Sequence, residues 1–162
     1  MFHYRRVLFA VLGMVIVGLM ASYPFLRKIQ TAKRKAKVKI NDQVIVADVV
    51  NSEKKLKKGL SGKESLGLNE GMLFVFDEKK KRSVWMKNMS FAIDVIWISD
   101  RKIVGVTEKI PPQPNVSEEN LDTYKSPKPV DKVLEVKTGR AQLFKASKGD
   151  EVLVKPVIPG AF

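Results

Sequence analysis

The sequence predicts a mainly β domain with two short helices, rolled into a small barrel-like sheet, behind one N-terminal transmembrane helix. Three observations support this fold class. Short apolar runs separated by turn residues fill most of the chain after residue 37. Only two stretches in that part of the chain carry helical start and stop signals. The N-terminal region contains a charge-free apolar segment of membrane-spanning length.

The 162 residues therefore divide into an N-terminal segment and one domain. A domain of about 120 residues can bury a core without disulfides, and the chain has no cysteine. The predicted segments are a transmembrane anchor or signal-anchor at 1–26, a basic linker at 27–37, the β domain at 38–155 and a C-terminal tail at 156–162.

The predicted anchor is Val7–Leu26, which has 20 residues and no charge. As a helix it would span about 30 Å, the thickness of the hydrocarbon core of a bilayer. A cleaved signal peptide is the alternative. The apolar run is long for that, and Leu19 stands two positions before Ala21, where a cleavage site needs a small residue. We therefore expect a single-pass membrane protein.

The net charge of +13 is concentrated around this segment. Residues 1–37 carry eight basic residues and no acidic one, while the rest has 22 basic and 17 acidic residues, a surplus of only +5. This distribution argues against a nucleic-acid-binding domain, whose basic surface should belong to the fold. The Arg27–Lys37 stretch is expected either to contact anionic lipid headgroups or to be a solvated linker.

The charges leave two membrane orientations open. Arg5 and Arg6 precede the span, whereas six basic residues come after it, and the positive-inside rule then places the domain in the cytoplasm. A short basic tail before an apolar run is also typical of a signal-anchor, which exports the domain on its C-terminal side. We favour an extracytoplasmic domain.

Strands are predicted where short apolar or alternating runs lie between turn signals. Turn-prone pairs stand at Asn41-Asp42, Ser99-Asp100 and Gly149-Asp150, and Asp77–Lys81 is predicted to be a charged loop. In chain order the predicted strands are Val38–Ile40, Val44–Val50, Met72–Phe76, Ser83–Asn88, Ile93–Ile98, Lys102–Ile110, Val130–Lys137 and Glu151–Lys155.

Two helices and one long loop complete the prediction. Asn51-Ser52 can cap a helix that runs through Lys58 and ends at the nearby glycines. Thr138–Ser147 is predicted to be the second helix. Pro111–Pro129 contains five prolines and is predicted to be an irregular loop, of a length that often carries function. The residues of the second helix expected to face inward are Ala141, Leu143 and Phe144.

Seven short motifs together resemble domain-of-unknown-function family 192 of bacteria and archaea. They are Gly59-Leu60-Ser61-Gly62, Gly71–Phe76, Trp85–Asn88, Ile93–Ile96, Tyr124–Ser126, Val133–Val136 and Gly149-Asp150. The family usually has Met at the position of Ser61, Thr at that of Met89 and a small residue at that of Arg140. The resemblance implies a compact mainly β domain, often behind an export signal or anchor, and it implies no known activity.

The first candidate site lies in two neighbouring predicted strands. Asp94 is the only polar residue of an otherwise apolar strand, and a buried carboxylate needs hydrogen-bond or charge partners. If Ser83–Asn88 and Ile93–Ile98 form a hairpin, Lys87 lies opposite Asp94 and Trp85 opposite Ile96. One interpretation is that the ion pair fixes the register while the tryptophan fills the core. The other is a ligand cleft lined by four residues, which are Trp85, Lys87, Asn88 and Asp94.

Four more polar residues are candidates. Glu108 ends a predicted strand before the proline-rich loop, and Glu135 interrupts an apolar run. Tyr124 and Ser126 lie on the loop, where they could close over a pocket near Trp85. Tyr and Trp together with Asn and Asp are residue types that bind sugars, although the same mixture is ordinary at protein interfaces.

Catalysis has little support in the sequence. The only histidine is His3, ahead of the predicted span, so the domain has no Ser-His or Cys-His arrangement. No phosphate-binding loop and no acidic cluster with calcium-loop spacing is present, and no metal or cofactor is predicted. Pairing Asp94 with Glu108 or Glu135 would be the route to glycosidase chemistry, and nothing in their spacing favours it.

The sequence therefore predicts a non-catalytic binding module for a small polar ligand, with a saccharide as one candidate, at the cell envelope. The alternative is an interaction or assembly protein that binds another envelope protein. A hydrolase is the least favoured function.

Overall fold

The computed structural model describes residues 34–157 and contains nine strands and two short helices in that range. The helices are α1 (Glu53–Lys58) and α2 (Arg140–Leu143), and a single 3-10 turn covers Glu118–Asn120. The strands are β1 (Lys35–Ile40), β2 (Gln43–Val50), β3 (Glu70–Lys80), β4 (Ser83–Trp85), β5 (Ile93–Ser99), β6 (Lys102–Ile110), β7 (Thr123–Lys125), β8 (Val130–Lys137) and β9 (Val152–Pro156).

Seven strands form one curled sheet in the order β6-β5-β8-β3-β2-β1-β9. Its neighbouring strands are antiparallel except for the parallel pair β2 and β3. The two outer strands meet at a single bridge between Lys102 and Glu151, where the Ile103 N–H donates to the Asp150 carbonyl oxygen at 2.9 Å. The sheet is thus strongly curled, a half barrel whose two edges touch only at this point, and the predicted mainly β, rolled-sheet fold class is confirmed.

The sheet is covered on both faces. One apolar cluster gathers residues from all seven strands and from α2, so it fills the concave face. A second cluster lies on the other, convex face and combines side chains of the central strands with loop residues such as Leu60 and Met86. β5 contributes Ile96 to the first cluster and Val95 to the second. Burial on both faces explains why this strand is apolar at nearly every position.

The predicted hairpin between Ser83–Asn88 and Ile93–Ile98 is wrong. β4 pairs instead with β7 in a separate two-stranded sheet, with Val84 opposite Tyr124. Both hydrogen-bonding edges of β5 are already occupied, by β6 and by β8, so no edge is left for β4. Asp94 consequently lies opposite Val136 and not opposite Lys87. Trp85 does not lie opposite Ile96 either.

Two predicted loops contain strand structure. β3 continues through Lys80, so most of the predicted charged loop Asp77–Lys81 is the exposed outer end of a strand. The proline-rich segment Pro111–Pro129 includes the 3-10 turn and β7. β7 has only three residues, and it forms because β4 supplies a partner edge that its own sequence does not reveal.

The second helix is shorter than predicted. α2 spans four residues, and the backbone turns into the left-handed region at Lys145, with φ of 51°. Ala141 and Phe144 are buried as expected, but Leu143 is 62% exposed, so its predicted inward orientation is wrong. A single turn of helix can direct only one narrow stripe of side chains at the sheet.

The first helix and the first turn agree with the sequence prediction. α1 ends at Gly59, whose φ of 50° suits glycine, and Asn41 adopts the left-handed conformation in the turn between β1 and β2. β1 begins at Lys35 and so includes the end of the predicted linker. Within 34–157, no helix is long and apolar enough to span a membrane. The predicted anchor Val7–Leu26 lies outside the described residues.

Candidate functional site

A cavity of about 330 Å³ opens on the convex face of the large sheet, between α1 and β4. We call it the convex-face cavity. Phe74 of β3, Ile93 of β5 and Val133 of β8 line it from the sheet side. Trp85 lines it from β4, and Leu56 from α1. Its volume is at the lower end of the range typical of small-molecule sites, about 300–1,000 Å³.

Glu135 is a buried carboxyl group that lines this cavity. In β8 it alternates with Leu134 and Val136, which belong to the concave cluster, so its own side chain faces the convex side. Its cross-strand neighbours Met72 and Val95 lie in the convex cluster. The residue is 5% exposed, and burial raises the pKa of its carboxyl group to about 8. At neutral pH the group is therefore mostly protonated.

No hydrogen bond or ion pair joins the Glu135 side chain to another residue in the part of the chain that the structure describes. The Glu135 oxygens are not among the fully buried polar atoms that lack a partner, which in the described residues are Nε of Arg82 and Nε of Arg140, so these oxygens keep some contact with the space of the cavity. Here the cavity itself is the only environment left for its polar atoms. An unpaired buried carboxyl at a cavity is a marker of a functional site.

Arg82 also lines the cavity. Its guanidinium carbon lies 4.0 Å from the centroid of the Phe76 ring, and Nη2 donates to the Glu78 carbonyl oxygen at 2.9 Å. Its Nε is buried and has no hydrogen-bond partner among the described residues. The Arg82 backbone is fixed by Ser126, whose hydroxyl oxygen accepts from the Arg82 N–H at 3.0 Å. The Ser126 N–H in turn donates to the Arg82 carbonyl oxygen at 2.8 Å.

Trp85 and Lys87 also line the convex-face cavity. Both are half-buried, and the Lys87 ammonium lies 5.6 Å from the centroid of the Trp85 ring. Lys87 forms an ion pair with Glu118 of the 3-10 turn rather than with Asp94. Trp85 is therefore a cavity wall and does not fill the core. The core tryptophan is Trp97, which is fully buried.

Two smaller cavities adjoin these residues. One of about 250 Å³ extends on the side of β4 toward Thr123 and shares all its other lining residues, Trp85 among them, with the convex-face cavity. Another of about 140 Å³ is lined by Lys87 and Asn88 together with the proline-rich segment. Asn88 has φ of 52°, a conformation that asparagine tolerates, and its carbonyl oxygen accepts from the Gly62 N–H at 3.0 Å. The structure thus gives Asn88 a conformational role and does not bring it to the larger cavity.

Asp94 is fully buried but lies away from the convex-face cavity. Its Oδ1 accepts from the Lys109 N–H at 2.9 Å and its Oδ2 from the Ala141 N–H at 3.0 Å. Lys109 sits in a bulge of β6 with φ of 55°, and Ala141 is in the first turn of α2. The carboxylate therefore joins three elements of the fold, as a helix cap supplied from a distant strand.

The remaining candidates are dispersed. Glu108 is exposed beside the bulge of β6, and Tyr124 packs against the convex apolar cluster from β7. Ser126 is 2% exposed and is engaged with the backbone of Arg82. Of the eight predicted site residues, the convex-face cavity brings together three, which are Trp85, Lys87 and Glu135.

A glycosidase pair of Asp94 and Glu135 is incompatible with the sheet. Asp94 lies opposite Val136, and directly paired residues project to the same face of a sheet. Glu135 is adjacent to Val136 and so projects to the other face. Within residues 34–157 no group of three His, Asp or Glu side chains could hold a metal ion.

Sequence reasoning missed the basic and aromatic parts of the cavity. Arg82 and Phe76 flank a segment that was predicted to be a charged loop, and the lysines of α1 were not among the predicted site residues. The available signal was the aromatic Phe76 at the end of a strand, with Arg82 six positions later. Stacking of the two could not be inferred from that spacing alone.

Comparison with known proteins agrees with this fold. The model of domain-of-unknown-function family 192, described as an uncharacterized ACR, matches residues 36–154. No curated protein matches the chain. A solved structure from Sinorhizobium meliloti 1021, described as a "putative transcription regulator", is similar at 26% identity and a TM-score of 0.66, over 76% of this chain and 94% of that one. A protein of unknown function from Novosphingobium aromaticivorans DSM 12444 is similar at 23% identity and a TM-score of 0.63, over 74% and 83%.

Proposed function

Because the chain belongs to domain-of-unknown-function family 192, whose description names no activity, we propose a function from the site itself: a non-catalytic binding module that takes a small polar ligand in the convex-face cavity. The observation that carries this proposal is Glu135, a buried carboxyl group without a protein partner among the described residues, at a cavity of about 330 Å³. A ligand that hydrogen-bonds to this group would supply the partner that no described residue provides.

The aromatic wall supports binding rather than catalysis. Trp85 is half-buried and accessible from the cavity, and Phe74 and Phe76 line the same space. Rings of this kind stack on the apolar face of a sugar or on a flat molecule, and they give binding energy without any reacting group. Histidine and cysteine are absent from the domain, and Asp94 and Glu135 face opposite sides of the sheet.

The place of action belongs to the same proposal. The uncharged segment Val7–Leu26 would hold the domain at the membrane, with the basic Arg27–Lys37 stretch beside the lipid headgroups. We place the domain outside the cytoplasm. Protease treatment of intact cells tests this: the domain should be digested before lysis, and protection until lysis would instead indicate a cytoplasmic domain.

Binding is tested by thermal unfolding of the full-length protein in detergent with a panel of saccharides, amino acids, nucleotides and organic acids. A ligand present at 100 times its Kd should stabilise the fold by about 2.7 kcal/mol. Ser83→Trp places a large side chain at the cavity and should abolish the shift. Ser65→Trp is the matched control, because Ser65 is exposed and does not line the cavity.

The outcomes separate the two classes of function. A shift that Ser83→Trp removes and Ser65→Trp preserves supports the binding module. A shift that survives in Ser83→Trp would place the ligand elsewhere and overturn the assignment to this cavity. No shift with any member of the panel, together with a stable complex with another envelope protein, would favour the interaction or assembly function.

A further inference from the structure

The ionisable residues that line the convex-face cavity are almost all basic. The basic residues belong to α1, to the segment between β3 and β4, and to the segment that follows β4. Among the described residues that line the cavity, Glu135 of β8 is the one acidic residue. The five basic residues are Lys57, Lys58, Lys81, Arg82 and Lys87. This positive charge would repel a ligand that carries an ammonium group and would attract an anion.

Arg82 has hydrogen-bonding capacity left over. A guanidinium has five N–H donors, and this one makes a single side-chain hydrogen bond within the described residues, from Nη2 to the Glu78 carbonyl oxygen. Its plane is held against Phe76, and its backbone is held by Ser126. A planar donor in a fixed position is suited to the two oxygens of a carboxylate or to a phosphate.

Glu135 complements a negative ligand in its protonated form. Burial raises the pKa of this carboxyl group to about 8, so at neutral pH it carries a proton that no described residue accepts. A protonated carboxyl can donate a hydrogen bond to an anionic oxygen. Once ionised, the same group would repel that oxygen.

We infer that the convex-face cavity takes a small organic anion, with its negative group toward Arg82 and Glu135 and its apolar or ring body against Phe74, Phe76 and Trp85. This inference rests on the proposed binding function and deepens it by naming the ligand class. The volume of about 330 Å³, at the lower end of the range for small-molecule sites, favours a small ligand body.

The test uses matched probes that differ in charge, bound to the full-length protein in detergent. The first pair is D-glucuronate and methyl α-D-glucoside, and the second is benzoate and benzamide. Affinities are measured by isothermal titration calorimetry at pH 7, with probe concentrations up to on the order of 10 mM, which is ten times the Kd of a ligand with about 1 mM affinity. At least one anion should bind ten or more times more tightly than its neutral partner.

Two double variants of α1 test the origin of the preference. All four lysines of α1 are exposed, but Lys57 and Lys58 line the cavity, whereas Lys54 and Lys55 do not. Changing the first pair to glutamine should reduce the affinity for the anion at least tenfold. Changing the second pair removes the same charge and should reduce it less than threefold.

A pH series tests the part of Glu135. The affinity of the wild-type protein for the anion should fall about tenfold for each pH unit above 8, because the carboxyl group loses its proton there. Glu135→Gln keeps a neutral donor of similar shape and should bind the anion at pH 7. Its affinity should not decline above pH 8. The other ionisable side chains at the cavity are the five basic residues named above, with Glu118 paired to Lys87.

Each other outcome overturns the inference. Equal or tighter binding of the neutral probes would leave a binding cavity but remove its anionic specificity. If both double variants lose the same amount of affinity for the anion, the preference comes from the general charge of the surface and not from the residues that line the cavity. Absence of binding by both anions would also reject this ligand class, while the broader ligand panel decides separately whether the cavity binds anything.

Discussion

The carboxylate of Asp94 accepts a hydrogen bond from the backbone N–H of Ala141, 47 residues later in the chain, at 3.0 Å. The first N–H groups of a helix have no partner within the helix, and a carboxylate at this end also interacts favourably with the helix dipole. The second oxygen of Asp94 satisfies the N–H of Lys109 in the bulge of β6. Asp94 thus connects α2, β5 and β6 at one buried point.

Replacing Asp94 with alanine should therefore destabilise the fold. The change leaves two buried or part-buried N–H groups unpaired, and we expect a loss of about 2–4 kcal/mol in the free energy of unfolding, measured by urea denaturation. Glu108→Ala, an exposed carboxylate close by, should change stability by less than about 0.5 kcal/mol. A stable Asp94→Ala protein that has lost ligand binding would instead support the interpretation of Asp94 as a ligand contact.

Part of the fold was predictable because it depends on local patterns. The apolar run of β5 indicated burial on both faces, and the turn residues marked the end of β1 at Asn41-Asp42 and the approach to β9 at Gly149-Asp150. These signals concern the residues next to them in the chain. They specify where elements lie, and they do not specify which elements pair.

Non-local pairing is where the sequence prediction was wrong. β4 pairs with β7, and its Trp85 lies opposite Thr123, 38 positions later, inside a segment whose prolines concealed a strand. The predicted Lys87–Asp94 pair depended on the assumption that neighbouring strands form a hairpin. The site shows the same division: Glu135 stood out as a polar residue in an apolar strand, whereas Arg82 became a candidate only once its stacking on Phe76 was visible.

Glu135 should make the stability of the protein fall as the pH rises from about 5 to 8. Its carboxyl group keeps its proton in the folded state up to a pKa of about 8, while the unfolded chain releases it near the ordinary value of 4.5. In this window the folded state binds more protons, and the free energy of unfolding should fall by up to about 1.4 kcal/mol per pH unit. Above pH 8 both states are ionised and the decline should level off.

Urea denaturation across this pH range provides the measurement, and Glu135→Gln provides the comparison. The variant cannot titrate at this position, so its stability relative to the wild type should rise steadily between pH 5 and 8. Glu108→Gln, at an exposed position, should keep the wild-type slope. Parallel curves for the wild type and Glu135→Gln would show that Glu135 is not held protonated by the fold.

The ion pair between Lys87 and Glu118 should contribute little to stability. Their side chains are 34% and 51% exposed, so solvent and salt screen the attraction. A double-mutant cycle with Lys87→Ala and Glu118→Ala should give a coupling of less than about 1 kcal/mol, decreasing as salt is added. A salt-independent coupling above about 2 kcal/mol would instead identify a desolvated link between the proline-rich segment and the cavity.

The two tryptophans should differ sharply in their effect on stability. Trp97 is fully buried, and its Nε1 donates to the Thr107 hydroxyl oxygen at 2.9 Å. Trp97→Phe removes this bond and leaves a cavity, which should cost about 2–4 kcal/mol in urea denaturation. Trp85→Phe, at the cavity wall, should cost less than about 1 kcal/mol. Similar losses for both variants would show that Trp85 is part of the core after all.

Gly71 should be sensitive to the addition of a single methyl group. A Cβ at this position would lie 2.8 Å from Cδ1 of Ile45, which is closer than such atoms approach in proteins. It would also make tight contacts with the backbone oxygen of Glu135 at 3.0 Å and with Cδ1 of Leu134 at 3.3 Å. Gly71→Ala should therefore destabilise the fold by about 1–3 kcal/mol, measured by urea denaturation. Gly67→Ala is the matched control, because its Cβ would meet only the flexible side chain of Glu70.

A second-site change separates the Ile45 contact of Gly71 from its other close contacts. Ile45→Val removes the Cδ1 methyl group, which relieves the clash with Ile45 and leaves the tight contacts with the Glu135 backbone and with Leu134. In the Gly71→Ala background it should recover part of the lost stability, whereas in the wild-type background it should cost about 0.5–1.5 kcal/mol as an ordinary core truncation. If the two substitutions are simply additive, the contact with Ile45 does not limit this position, and the close approach of β3 to the backbone of β8 accounts for the glycine.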